Sequence, residues 1–179
     1  EKQRALHPQI DLYENTVAGV APNFQTEGFI KPNYVSLIES GQLKHCLISP
    51  RTAKEYQLKS NSANSEETPE SLELRAGTLE KQHILNNLDT GLYINNLWYL
   101  NYSDRSSGRM TGMTRFATFW VEKGQIVSPV SVMRFDDSLY RMLGTQLIDL
   151  TTHRNFILDP STYESRSCRS MTLPGALLK

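Results

Sequence analysis

Cysteine is scarce: the 179 residues hold two, Cys46 and Cys168, too few for a disulfide framework and without CxxC spacing. A reducing, cytoplasmic compartment fits that usage better than a secreted one. No apolar run approaches the ~20 residues that a membrane-spanning helix needs. The opening EKQRALHPQ is not a signal peptide. An excess of one charge is missing too, because nineteen basic and nineteen acidic residues cancel with no long block of either. That balance gives no electrostatic reason to expect nucleic acid or a membrane surface as partner.

Catalytic signatures are equally thin. The four histidines, His7, His45, His83 and His153, are dispersed, and only weak carboxylates stand at ligand spacing from them. No H-E-x-x-H occurs. Serines are many, but no G-x-S-x-G is present, and nothing ties a serine or Cys46 to a histidine. Neither G-x-G-x-x-G nor a phosphate-binding loop is found, GRMTG being too short to count.

What is present is strand-forming sequence, concentrated in Gly91–Phe135, which holds both tryptophans, Trp98 and Trp120. From Met113 to Val121 the residues alternate. Met113, Arg115, Ala117, Phe119 and Val121 would share one face, opposite Thr114, Phe116, Thr118 and Trp120, which predicts a strand. Glu122-Lys123-Gly124-Gln125 breaks the run, with Gly124 able to take positive φ, and Ile126–Phe135 resumes as the second strand of a hairpin. Pro129 marks an edge or a bulge there. Gly91–Ile94 and Leu97–Tyr102 read as two further strands around Asn95-Asn96.

Elsewhere, Tyr34–Ile38 and Leu43–Ile48 flank ESGQ, and IESGQL matches the later VEKGQI, so a second hairpin with the same turn chemistry is expected. Ser49-Pro50 predicts a helix start, serine as N-cap and proline at N1, with Ala53 and Tyr56 on the buried side. Lys59–Pro69 reads as a loop and Glu1–Asn23 as an extended arm. Thr78–Leu88 suggests a short helix through Leu79, Ile84, Leu85 and Leu88. A better one is expected after Asp136-Asp137-Ser138, where Leu139, Met142, Leu143, Leu147 and Leu150 recur at helical spacing. Phe156–Leu158 and Met171–Leu178 add closing strands. The result is a β-rich α+β domain over residues 1–179, mainly antiparallel, with a few short covering helices.

The remaining chemistry lies in polar groups around the sheet: Asn101, Asp104, Arg105, Arg109, Arg115 and Arg134. Placed on a buried face, Arg115 would need a partner, either an internal ion pair with Asp104, Asp136 or Asp137, or a peptide carboxylate that its forked guanidinium suits. NLWYLNYSDR also has the look of an aromatic platform for nucleic acid, against which the zero net charge argues.

The order GLYI, SSGRMTGMTRF, FWVEKGQIVSPV, with SPRTAKEYQLKSNSAN upstream and LDPSTY downstream, resembles the C-terminal domain of the TldD/PmbA family, named as putative modulators of DNA gyrase and associated with zinc-dependent peptide processing. The resemblance implies a curved, barrel-like sheet and a piece of a longer protein. It also implies work in peptide proteolysis or maturation beside a homologous subunit, with Asn101, Asp104, Arg105, Arg109 and Arg115 as substrate-binding candidates and no catalytic residue in this chain. TldD-like members carry H-E-x-x-x-H in their N-terminal domain and a further zinc ligand in a C-terminal D-P-x-x-C. Here Asp159-Pro160-Ser161-Thr162-Tyr163 puts Tyr163 at the thiolate position, and a phenol with pKa near 10 is a poor ligand at neutral pH. Cys168, five residues on, is the weak alternative. The departure points to the non-catalytic PmbA/TldE type, with no cofactor in this chain and zinc in the full-length protein or a partner. The alternative is a non-enzymatic module that modulates a protein such as gyrase.

Overall fold

In the computed structural model, which describes residues 6–163 and 165–179, β1 (Leu12–Asn15), β2 (Tyr34–Glu39) and β3 (Gln42–Leu43) lead to helix α1 (Pro50–Tyr56) and β4 (Ser71–Leu74). A 3₁₀ turn (Lys81–His83) and α2 (Ile84–Leu88) precede β5 (Gly91–Ile94), β6 (Leu97–Asp104), β7 (Arg109–Thr114), β8 (Thr118–Glu122), β9 (Gln125–Pro129) and β10 (Arg134–Ser138). A π-helical turn (Arg141–Thr145) and two long strands, β11 (Leu147–Leu158) and β12 (Ser170–Leu178), follow. The class is β-rich α+β with few, short helices, as the sequence indicates; no sheet among the described strands closes on itself.

These elements form two compact units, each built from separate stretches of chain. One comprises Pro8–Ala76 and Arg154–Gly175. Its strands run β11-β12-β4-β1-β2-β3, antiparallel at β1–β2, β1–β4 and β2–β3 and parallel at β12–β4. Ser40 (φ 48°) and Gly41 (φ 76°) make the β2–β3 turn, the two positive φ values a two-residue hairpin needs to follow the strand twist. Ser49 caps α1 by accepting the Thr52 N–H at 3.1 Å, and Pro50 sits in the first turn, where its missing N–H costs nothing.

The other unit comprises Gly77–His153, Ala176–Lys179 and the stretch ending at His7. It holds two three-stranded antiparallel sheets, β10-β7-β6 and β5-β8-β9. The β8–β9 turn repeats the earlier one, with Lys123 at φ 49° and Gly124 at φ 73°. Leu79, Val121, Leu147, Leu150 and Leu177 are its buried apolar residues, and Thr118 is buried too.

Several expectations give way. Glu1–Asn23 is no arm where it is described, since β1 lies between β4 and β2 with Ile10 only 2% exposed; its first five residues lie outside the described part. The second hairpin strand stops at Leu43, and Tyr56 faces solvent while Ala53 is buried. The helix expected over Thr78–Leu88 shrinks to the 3₁₀ turn and α2, and Leu79 bridges Thr151 instead.

Met113–Val121 is two strands, not one. Ala117, at φ 58°, turns the chain between β7 and β8, so Thr114 and Thr118 are buried and Arg115 is exposed. Ile126–Phe135 likewise divides into β9 and β10, with Pro129 on the edge strand β9. The leucine-rich helix after Ser138 is the largest miss: only residues 139–145 are helical, π-helical from Arg141, and Leu147 and Leu150 are buried from a strand.

Candidate functional site

The sequence-selected polar residues gather on one sheet, β10-β7-β6, and the turn beside it. Asn101 stands opposite Thr111, and Asp104 opposite Arg109 across the β6–β7 ladder. Arg105 opens the turn that follows β6. Arg115 immediately follows β7. The structure thus brings them to one sheet, but not as one cluster, because most already have partners.

Asp104 is satisfied locally. It accepts from the Ser107 hydroxyl at 2.6 Å, the Ser106 hydroxyl at 2.7 Å and the Ser106 N–H at 2.9 Å. These donors, that of Ser107 foremost, hold its carboxyl down at about 2. Arg109 is ion-paired with Asp136 of β10. Arg134 lies 3.9 Å from the same carboxylate and donates its Nε–H to the Thr111 hydroxyl at 3.1 Å. Asp137 is taken by Arg141 at 2.9 Å.

Arg115 therefore makes none of the internal ion pairs the sequence allowed. Its guanidinium lies 4.3 Å from the centre of the Trp98 ring and 5.4 Å from that of Phe116. Arg105 repeats the arrangement more loosely, 5.9 Å from the centre of Tyr102. Sequence reasoning read Leu97–Tyr102 as a strand without saying which side its rings would take. Every residue of this strand is exposed, Trp98 by 54%, and Trp98 and Tyr102 carry the rings beneath the two arginines. The available signal was the run LWYLNY itself: five large side chains without the alternation of a one-sided strand.

β6 is also an edge strand, paired among the described strands with β7 alone. Its pairing is irregular between Trp98 and Asn101 and again between Tyr102 and Asp104, and Tyr99 has φ 57°. Such breaks blunt an edge against indiscriminate strand pairing.

In the other unit a buried polar cluster went unread in the sequence. Glu14, 6% exposed, accepts the backbone N–H groups of Glu70 and Ser71 at 3.0–3.2 Å, and Lys31, 7% exposed, pairs with Glu70 at 2.6 Å. Burial raises the Glu14 carboxyl above the usual range in spite of those donors. A cleft of about 300 Å³ lies nearby in the same unit, lined by Leu72, Met171, Asp159 and Arg169 among others.

Tyr163 is 85% exposed, and Cys168 is exposed as well. Both belong to the β11–β12 connection, closed by the Asp159 N–H donating to the Arg169 carbonyl at 2.9 Å. Among the described residues no three His, Cys, Asp or Glu side chains come together as a metal-binding group.

The class that the fold defines is a β-rich α+β domain with an exposed, aromatic-rich sheet edge. The family model of the PmbA/TldA metallopeptidase C-terminal domain matches residues 2–179, and the chain belongs to that family. No curated protein matches it in sequence. Among solved structures, it is similar to a Thermotoga maritima protein described as a putative modulator of a DNA gyrase, at 16% identity and TM-score 0.78 over 98% of this chain and 39% of that one. It is similar to TldE from Thermococcus kodakarensis at 18% identity and TM-score 0.77, over 98% of this chain and 39% of that one. A Bacteroides thetaiotaomicron protein, also described as a putative modulator of DNA gyrase, matches at 17% identity and TM-score 0.74 over 99% and 37%. These likenesses show a shared fold, and the chain spans well under half the length of each.

Proposed function

We propose that this chain is the substrate-docking and assembly domain of a PmbA/TldD-type protein that acts on peptides, of the non-catalytic, TldE-like kind. The observation that carries the reading is β6, an eight-residue edge strand exposed along its whole length. A free edge offers unpaired backbone N–H and C=O groups to an extended peptide, and its rings supply contact area. Tyr163, where metal-binding relatives place a thiolate, supports the non-catalytic assignment, as does the likeness to a protein called TldE. A homologous subunit is the proposed partner. Zinc, where the whole assembly uses it, would be held by residues outside this chain.

A strand-forming peptide with a photoreactive group tests the reading. Cross-links within Leu97–Asp104 are expected, and cross-links confined to other strands would remove β6 as the docking edge. The names of two structural relatives favour a second reading, a module that binds DNA gyrase. Purified gyrase subunits competing for the same cross-links would support it.

A further inference from the structure

Two arginines at this sheet, Arg105 and Arg115, form no ion pair with a carboxylate among the described residues, whereas Arg109, Arg134 and Arg141 all do. Each lies over a ring carried by β6. A cation–π contact uses none of the guanidinium's N–H donors for hydrogen bonding, so they remain able to take a carboxylate. The backbone of Arg115 is fixed on both sides: its N–H donates to Asn96 at 3.1 Å, and its carbonyl accepts from the buried Thr118 hydroxyl at 2.9 Å. An anchored backbone and a guanidinium held 4.3 Å from the Trp98 ring centre reduce the freedom lost on binding.

The register sets the spacing. Trp98 stands opposite Met113 and Tyr102 opposite Met110, because the irregularity in β6 adds a residue that β7 lacks. Measured on β7 the two rings are three positions apart, roughly 10 Å, an odd step that places them on opposite faces of the sheet. Only a ligand that runs along the edge reaches both faces at once. A single strand of nucleic acid stacked on exposed rings lies on one face, and the zero net charge gives it no steering field.

We propose that β6 receives an extended acidic peptide whose carboxylates, three positions apart, are taken by Arg115 on one face and Arg105 on the other. This rests on the reading of β6 as a peptide-docking edge. The two breaks in the strand weaken generic pairing along it, so the arginine contacts supply selectivity as well as affinity.

The experiment is fluorescence anisotropy of the unmodified chain at low salt with labelled peptides of eight residues, the length of β6. One Thr/Val peptide carries two Glu three positions apart, a second has Gln at both, and a third has Lys at both. An oligothymidylate of matching length is the fourth probe. The Glu peptide is expected to bind about tenfold tighter than the Gln peptide, a factor of about three per exposed contact, with the advantage fading as salt rises. The Lys peptide is expected to be weakest. Arg115→Gln and Arg105→Gln should each remove one such factor while leaving the Gln peptide unaffected, and Arg115→Lys should restore part of it.

Equal binding of Glu and Gln peptides overturns carboxylate recognition and leaves the docking edge standing. If neither peptide binds, the docking reading falls as well. Tighter binding of the oligothymidylate than of the Glu peptide replaces the proposal with a nucleic-acid platform. The comparison on the unmodified chain decides among these whether or not the arginine variants fold.

Discussion

The carboxylate of Glu14, in the middle of the six-stranded sheet, accepts the backbone N–H of Ser71, fifty-seven residues away, at 3.0 Å. Both residues are buried. The bond ties β1 to the start of β4 and satisfies donors that would otherwise be stranded without water. Removing the acceptor should therefore be costly. Glu14→Ala is expected to destabilise the chain by about 1–3 kcal/mol in urea unfolding, the penalty for leaving buried N–H groups unpaired. A loss below about 0.5 kcal/mol would mean that water replaces the carboxylate.

The same residue makes a pH prediction of unusual sign. Its carboxyl is raised from 4.5 in the fold, so burial favours the protonated form there more than in the unfolded chain. Its contribution to stability is fully present below the unfolded value and declines as pH rises through the folded one. Thermal melts should thus show the unmodified chain gaining on Glu14→Gln as pH is lowered from neutral towards 4.5. A gap that stays constant or moves the other way contradicts the burial argument.

Asp104 has the ordinary sign. Held at about 2 by Ser107 and Ser106, it remains ionised until well below the unfolded value of 3.8, and its contribution is lost as pH falls towards 2. An NMR titration should place its midpoint near 2. Ser107→Ala should move that midpoint upward, and an unmoved midpoint would contradict the hydrogen bonds at the β6–β7 turn.

Gly124 combines backbone and space. Its φ of 73° is strained for any other residue, and a Cβ there would come within 2.7 Å of the Asn86 side-chain oxygen. Gly28, at φ 85°, has nothing within 4 Å. Alanine at Gly28 is expected to cost about 1 kcal/mol, and at Gly124 measurably more. Equal losses in paired denaturation curves would show that Asn86 simply moves aside.

Gly77 tests packing alone. A Cβ would stand 2.3 Å from the Leu150 carbonyl oxygen, a backbone atom that cannot swing away. Gly77→Ala is expected to cost about 1–3 kcal/mol as β11 is pushed aside. The check is the unfolding midpoint, and an unchanged one would disprove the close approach.

The sequence by itself determined what is local. Ser40-Gly41 and Lys123-Gly124 show as hairpin turns because two-residue loops demand positive φ, and glycine supplies it at little cost. Ser49-Pro50 starts α1 because a side-chain acceptor and a missing donor suit the first turn. The order of GLYI, SSGRMTGMTRF and FWVEKGQIVSPV also carried the family. Tertiary structure decided the rest. Leu147 and Leu150, three apart and both buried, fit a helix in the sequence. In the fold, the buried face of β11 shifts between them, and Leu79, some seventy residues upstream, hydrogen-bonds Leu150 and Thr152. Ala117 flips the faces of β7 and β8 through one dihedral angle, which put Arg115 in solvent. A three-residue spacing or an alternation is the same string whether its backbone partners lie four residues or seventy away, and only those partners choose between helix and strand and between core and solvent.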